Sequence, residues 1–350
     1  MYQLNKKLKD LIPYEPIQGE YKIRLDANES CFDLGDELKD KLCEEIKKLS
    51  FNRYPDPFAK EAVKAFADYY NLEEKYITAG NGSDELISII SSTFLETGDK
   101  VVTLSQDFSM YAFYGSIYET QPLVFQKNED LTIDVSELVS FCNENNAKML
   151  IFSNPCNPTS IGLDRKNVEK LLDGINKECL VVLDEAYMDF WNESLLDSVS
   201  QYDNLMILKT CSKAIGLAGI RMGFAVANEK ITNAMRAVKS PYNTDIISQK
   251  TAEVVFKEKA LLDERTARMI ESRNELYKAC VLLMEASDKL LKIYESATNF
   301  VFIKTDYADE IFESLLEKSI AVRKFKGYLR ISTGTEEENA ELINALREIV

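Results

Sequence analysis

The 350-residue chain contains no histidine. Histidine-ligated zinc, Ser-His-Asp hydrolysis and imidazole acid-base catalysis are thereby excluded, and proton transfer falls to Lys, Tyr, Asp, Glu or Cys. The seven cysteines (Cys31, Cys43, Cys142, Cys156, Cys179, Cys211 and Cys280) form no C-x-x-C pair, so no metal site is expected. They read as small core residues in a reducing compartment. Basic charge is in short supply: 42 basic against 58 acidic side chains give a net charge of -16, which opposes general affinity for nucleic acid or anionic membrane. No apolar run reaches the length of a membrane span, and charges interrupt the N-terminal segment MYQLNKKLKDLIPYEP where a signal peptide would be continuously apolar. No repeat, low-complexity tract or flexible linker is found. The expectation is a cytoplasmic protein with no nucleic acid and no membrane among its partners.

What is present is ordinary for a globular chain, 45% hydrophobic and 29% charged, with length enough for about two domains. From about Tyr76 to Asn228, apolar runs alternate with amphipathic segments, which predicts a largely parallel α/β sheet. The expected strands are Tyr76–Ala79, Lys100–Leu104, Leu123–Gln126, Met149–Ser153, Leu180–Leu183, Leu205–Lys209 and Met222–Ala227. Asp134 and Asp164 stand as N-caps before helical patterns. Ile246 to about Met284 reads as one long helix or two consecutive ones bridging two domains. The tail predicts strands at Asn299–Lys304 and Tyr328–Ser332, a helix at about Asp309–Lys318, and a last helix opened by the capping box Thr335–Glu338. This divides the chain into a large domain, 41–245, and an arm plus small α+β domain, 1–40 and 246–350.

Polar residues gather at the ends of successive expected strands, where open α/β sheets bind ligands. In Ala79-Gly80-Asn81-Gly82-Ser83-Asp84-Glu85, glycines lead into the helix Leu86–Phe94; the turn suits a phosphate, and equally a plain capped helix start. Ser153-Asn154-Pro155-Cys156-Asn157-Pro158-Thr159 carries two Asn-Pro pairs, which impose extended backbone and hold the Asn157 amide in one direction. Val181-Val182-Leu183-Asp184-Glu185-Ala186-Tyr187 ends an apolar strand in carboxylates, which need a cation, either a ligand's or a structural salt bridge's. Lys209-Thr210-Cys211-Ser212-Lys213 and the small-residue run to Arg221 supply an amine flanked by anion-binding groups; the uncharged residues after Lys213 favour its burial.

A carboxylate, a tyrosine, an asparagine, a lysine and phosphate-binding groups at adjacent strand ends are what pyridoxal 5'-phosphate requires. With Arg24-Leu25-Asp26-Ala27-Asn28-Glu29, Asn52-Arg53-Tyr54-Pro55-Asp56 and Leu329-Arg330-Ile331-Ser332-Thr333-Gly334-Thr335, the chain resembles the fold-type I pyridoxal-phosphate aminotransferases, and within them the histidinol-phosphate aminotransferase family. The resemblance implies a large domain with a mostly parallel seven-stranded sheet between helices and a smaller α+β domain. It implies Lys213 as the Schiff-base lysine and proton carrier, Asp184 on the ring nitrogen, and Asn157 and Tyr187 on the phenolic oxygen. Gly82, Ser83, Asp84, Thr210, Ser212 and Arg221 would cradle the phosphate, and Phe108 would stack on the ring. Tyr54 would reach the phosphate of a neighbouring subunit, which implies a homodimer with shared active sites. Tyr14, Asn28, Arg323 and Arg330 would contact the amino donor and the 2-oxo acid. The implied reaction is transamination of histidinol phosphate; relatives that transaminate aromatic amino acids or decarboxylate threonine phosphate are the alternative.

Overall fold

The computed structural model describes residues 2, 3, 5, 7 and 16–350. After a short strand β1 (Ile23–Leu25) and helices α1 (Asp36–Ile46) and α2 (Lys60–Tyr70), the chain enters its larger sheet. That sheet comprises β2 (Ile77–Gly80), β3 (Lys100–Leu104), β4 (Gln121–Phe125), β5 (Met149–Ser153), β6 (Leu180–Asp184), β7 (Leu205–Thr210) and β8 (Gly223–Ala227). The order is β2-β8-β7-β6-β5-β3-β4, parallel except for β8, which runs antiparallel to β2 and β7. The expected mostly parallel seven-stranded sheet is therefore found, with its strands within two residues of the expected limits. β5, β6 and β7 are buried along their whole length, which explains why they read as continuous apolar runs.

Helices α3 (Gly82–Phe94), α4 (Met110–Ile117), α5 (Val135–Glu144), α6 (Arg165–Gly174) and α7 (Glu229–Val238) connect and cover these strands. Asp134 accepts the amides of Ser136 and Glu137, and Asp164 that of Asn167, so both expected N-caps form. Beyond the sheet come two consecutive helices, α8 (Ile246–Phe256) and α9 (Lys259–Ala286). Residues of α8 share the larger core with Leu38 and Leu42 of α1, whereas Leu276, Cys280 and Leu283 of α9 belong to a second core. The 28 residues of α9, about 42 Å at 1.5 Å per residue, run from one core to the other.

The second core lies under a five-stranded sheet of β9 (Lys292–Tyr294), β10 (Phe300–Lys304), β11 (Ile320–Phe325), β12 (Tyr328–Ser332) and β1, in order β1-β11-β12-β10-β9. Helices α10 (Ala308–Glu317) and α11 (Glu336–Ile349) follow β10 and β12. Side chains alternate across a strand, so Val301, Ile303, Leu329, Ile331, Ile320 and Val322 enter this core. The opposite face presents Phe300, Phe302, Arg330, Ser332, Arg323 and Phe325. Arg323 and Arg330 are cross-strand partners, joined by a tight hairpin that accounts for the short segment between them. The expected capping box forms: Thr335 accepts the Glu338 amide while the Glu338 carboxylate accepts that of Thr335. Thr335→Ala should destabilise the protein by about 1 kcal/mol, seen as a lower urea midpoint.

Candidate active site

Four strand ends meet on one edge of the large sheet. In register, Gly80 of β2 and Thr210 of β7 both face Gly223 of β8, while Ser153 of β5 faces Asp184 of β6. Gly82, with φ of 78°, opens α3 in a conformation that L side chains rarely adopt. A Cβ at Gly223 would lie 2.7 Å from the Gly82 carbonyl carbon and the Ser83 nitrogen, so the absence of side chains lets β8 approach the first turn of α3. Arg221 crosses this turn, donating to the Ser212 hydroxyl at 3.3 Å and pairing with Asp84 at 3.6 Å. Thr210 accepts the Ser212 amide at 3.2 Å and donates to its hydroxyl at 3.1 Å. The unpaired N–H groups of a helix start, a guanidinium and two hydroxyls thus surround one space, an arrangement suited to a phosphate.

Beside it, Asp184 is 4% exposed and its hydrogen-bond partners are neutral: the Tyr111 hydroxyl at 2.9 Å and the Ala186 amide at 3.2 Å. Burial pushes its carboxyl up to about 6, and that of Glu185, buried against the Ser194 hydroxyl, to about 7. A carboxylate held in low dielectric without a cation matches the protonated ring nitrogen of pyridoxal phosphate. Lys209, the other lysine of the β7 motif, is taken up structurally, buried and paired with Asp189 at 2.8 Å. Lys213 is half-buried; its ammonium donates to the Ala27 carbonyl at 2.8 Å and lies 5.8 Å from the centre of the Tyr187 ring.

Two donors are oriented by chains of hydrogen bonds. Ser332 donates to Oδ1 of Asn28 at 3.0 Å, and Nδ2 of Asn28 donates to the Tyr187 oxygen at 2.9 Å, leaving the Tyr187 proton to be given elsewhere. Asn28 sits in the left-handed region, with φ of 53°, which asparagine tolerates. Arg330 donates to Oδ1 of Asn157 and, at 2.6 Å, to the Asp26 carbonyl. Because a guanidinium only donates, the Asn157 amide must turn its oxygen to Arg330 and its NH2 away. Arg330 is itself held between the rings of Phe300 and Phe325, at 5.4 and 5.8 Å.

The structure therefore brings together Gly82, Ser83, Asp84, Thr210, Ser212 and Arg221 at one end of this edge, and Asp184, Tyr187, Asn157, Asn28 and Arg330 beside them. Phe108 is half-buried, edge-on to Tyr111 at 5.5 Å. Arg323 is half-buried opposite Arg330. Tyr54 makes none of these contacts: it is 81% exposed and stacks on Tyr242 at 4.6 Å. Tyr14 lies outside the described residues. The sequence reading misses Tyr111 and Asp107. Tyr111 lies three residues beyond Phe108, in the first turn of α4, and its amide donates to the Phe108 carbonyl at 3.4 Å. Asp107 is a lone acid in a loop and carries no signal of its own.

Among the described residues no group of three or more His, Cys, Asp or Glu is placed to hold a metal ion, and no helix is long and apolar enough to cross a membrane. Asp184 and Glu185 bind protons more tightly folded than unfolded, so the stability they contribute is complete below about pH 4 and is lost as pH rises through 6 to 7. Asp184→Asn should cancel its share. In the cofactor-free protein, the variant's stability relative to the parent should rise on the order of 3 kcal/mol between pH 4 and pH 8, measured by urea unfolding.

The family model for aminotransferase class I and II matches residues 20–346. A histidinol-phosphate aminotransferase of Clostridium novyi is 41% identical over 98% of this chain and 96% of its own length, and one of Pyrococcus furiosus is 36% identical over 97% and 95%. Among solved structures, histidinol-phosphate aminotransferase from Sinorhizobium meliloti in complex with pyridoxal-5'-phosphate superposes with a TM-score of 0.89, covering 100% of this chain and 98% of its own, at 23% identity. Fold, site chemistry and sequence agree: the chain belongs to the class I and II aminotransferases.

Proposed function

We propose that this aminotransferase uses pyridoxal 5'-phosphate to transfer the amino group of histidinol phosphate to 2-oxoglutarate, yielding imidazole acetol phosphate and glutamate in histidine biosynthesis. The observation that carries the cofactor is the buried Asp184 with neutral partners only, next to an anion cradle. Support for the substrate is the name shared by relatives that are 34–41% identical over nearly the whole chain.

When bound, the cofactor supplies an electron sink that makes the Cα–H of an attached amine acidic. Asp184 holds the ring nitrogen in its protonated, electron-withdrawing form. Tyr187 and Asn157 donate to the phenolic oxygen, each with its donor aimed by the chains described above. Gly82, Ser83, Asp84, Thr210, Ser212 and Arg221 would hold the phosphate, and Phe108 would stack on the ring. Lys213 Nζ would be the amine that holds the cofactor and the base that carries the substrate Cα proton. Arg323 and Arg330 lie directly across from one another on β11 and β12, and their planar guanidinium forks call for an oxyanion with several acceptor oxygens. The phosphate of histidinol phosphate and the carboxylates of 2-oxoglutarate and glutamate, bound in turn, meet that requirement.

The working form is a homodimer. Tyr54 is exposed and stacks on Tyr242, which is exposed as well, and from there it would reach the phosphate of the partner subunit's site. The seven cysteines are free, which suits a cytoplasmic location.

The visible absorbance of the loaded enzyme tests this reading. Histidinol phosphate should bleach the bound-cofactor band and 2-oxoglutarate restore it, whereas bleaching by L-phenylalanine alone, or release of carbon dioxide, would overturn the substrate assignment. Arg330→Lys, which keeps the charge and loses the fork, should lower kcat/KM about tenfold to a hundredfold for both half-reactions.

A further inference from the structure

Asp107, in the loop between β3 and α4, has no part in the roles assigned above, yet it sits at the junction of two of them. Its carboxylate accepts the Phe108 amide at 2.7 Å, the Ser153 amide at 3.2 Å and the Ser153 hydroxyl. The Ser153 oxygen in turn accepts the Asn157 amide at 3.0 Å. One side chain therefore holds the backbone of Phe108 directly and that of Asn157 through one serine. The arrangement is costly: burial pushes the Asp107 carboxyl up, and the acid lies close enough to Asp184 to raise the latter's carboxyl as well. The groups that face Asp107 are Lys127 from the loop after β4, Tyr111 from α4 and Asp184 from β6, with Cys156 from the loop after β5 against Lys127 and Tyr111. Lys127 supplies the compensating charge, itself fixed by the Gln106 carbonyl at 3.2 Å and the Cys156 sulfur at 3.1 Å. An ionised carboxylate is acceptor-only, with room for several donors on its two oxygens, which a neutral amide cannot offer.

We propose that Asp107 is a positioning residue for the bound cofactor, setting through one carboxylate both the ring that covers its face, Phe108, and the donor at its phenolic edge, Asn157. This rests on the reading of Phe108 and Asn157 as cofactor contacts. Asn157 is then held at two points, its amide nitrogen by Ser153 and its side-chain oxygen by Arg330, so the direction of its NH2 group is determined. Loss of Asp107 releases one of these points and the Phe108 backbone together.

The test measures the dissociation constant of pyridoxal phosphate by equilibrium dialysis, and the pH midpoint of the visible band of the loaded protein. It compares the parent with Asp107→Ala, Asp107→Asn, Ser153→Ala, Phe108→Ala and Asn157→Ala. Asp107→Ala should weaken cofactor binding about tenfold and move the pH midpoint, with Asp107→Asn in between. Combined with Asn157→Ala, it should cost less than the product of the two single effects, because both act on one contact. Parental affinity and midpoint in Asp107→Ala, or full additivity with Asn157→Ala, would overturn the proposal. Parental values in both Phe108→Ala and Asn157→Ala would instead overturn the reading of those residues as contacts, and the proposal with it. Should Asp107→Ala fail to fold, Ser153→Ala decides: a moved midpoint supports the relay, and parental values refute it.

Discussion

A carboxylate at the end of a fully buried strand, with a hydroxyl and an amide for neighbours, is the constraint on which this site depends. Near neutral pH Asp184 gains nothing for the fold: burial pushes its carboxyl up to about 6, so the protein there carries an ionised acid that its surroundings disfavour. Such a cost persists where a ligand offsets it. The ligand that does so must bring a cation to the end of β6 and an anion to the start of α3, and pyridoxal phosphate carries both, a protonatable ring nitrogen and a phosphate on a methylene arm of the same ring. That the two requirements lie side by side follows from topology. β2, β5, β6 and β7 all end on the same edge because β8 alone runs the other way.

The second sheet completes the site rather than merely covering it. On β12, Arg330 and Ser332 are two residues apart and therefore share a face. One orients Asn157 and the other, through Asn28, orients Tyr187. Asn157 and Tyr187 thus follow strands of the large sheet but take their direction from the small one. The long helix α9, with residues in both cores, fixes the two sheets relative to each other.

Much of this was legible in the sequence, for a specific reason. The central strands are buried on both faces and so appear as unbroken apolar runs, and the residues that follow them are chemically conspicuous: Asp184, Lys213 and the paired Asn-Pro of the β5 loop. β1 and β9 are three residues each, too short for a period to show, and β11 ends in Arg323-Lys324-Phe325, whose charges hide it. α1 and α2 escaped because their apolar residues are separated by lysines and acids, and tertiary contact with α8 decides their packing. Asp107 and Tyr111 were hidden for a different reason. Their importance lies in the atoms they meet, Ser153 and Asp184, which are 46 and 73 residues away, and no local pattern records such a meeting.

The account stands or falls on the charge at Asp184. Nitrogen-15 NMR of ring-labelled pyridoxal phosphate bound to the protein at neutral pH reports whether the ring nitrogen carries a proton. The structure predicts a protonated, pyridinium shift in the parent and a neutral pyridine shift in Asp184→Asn. A neutral pyridine signal in the parent protein would contradict it.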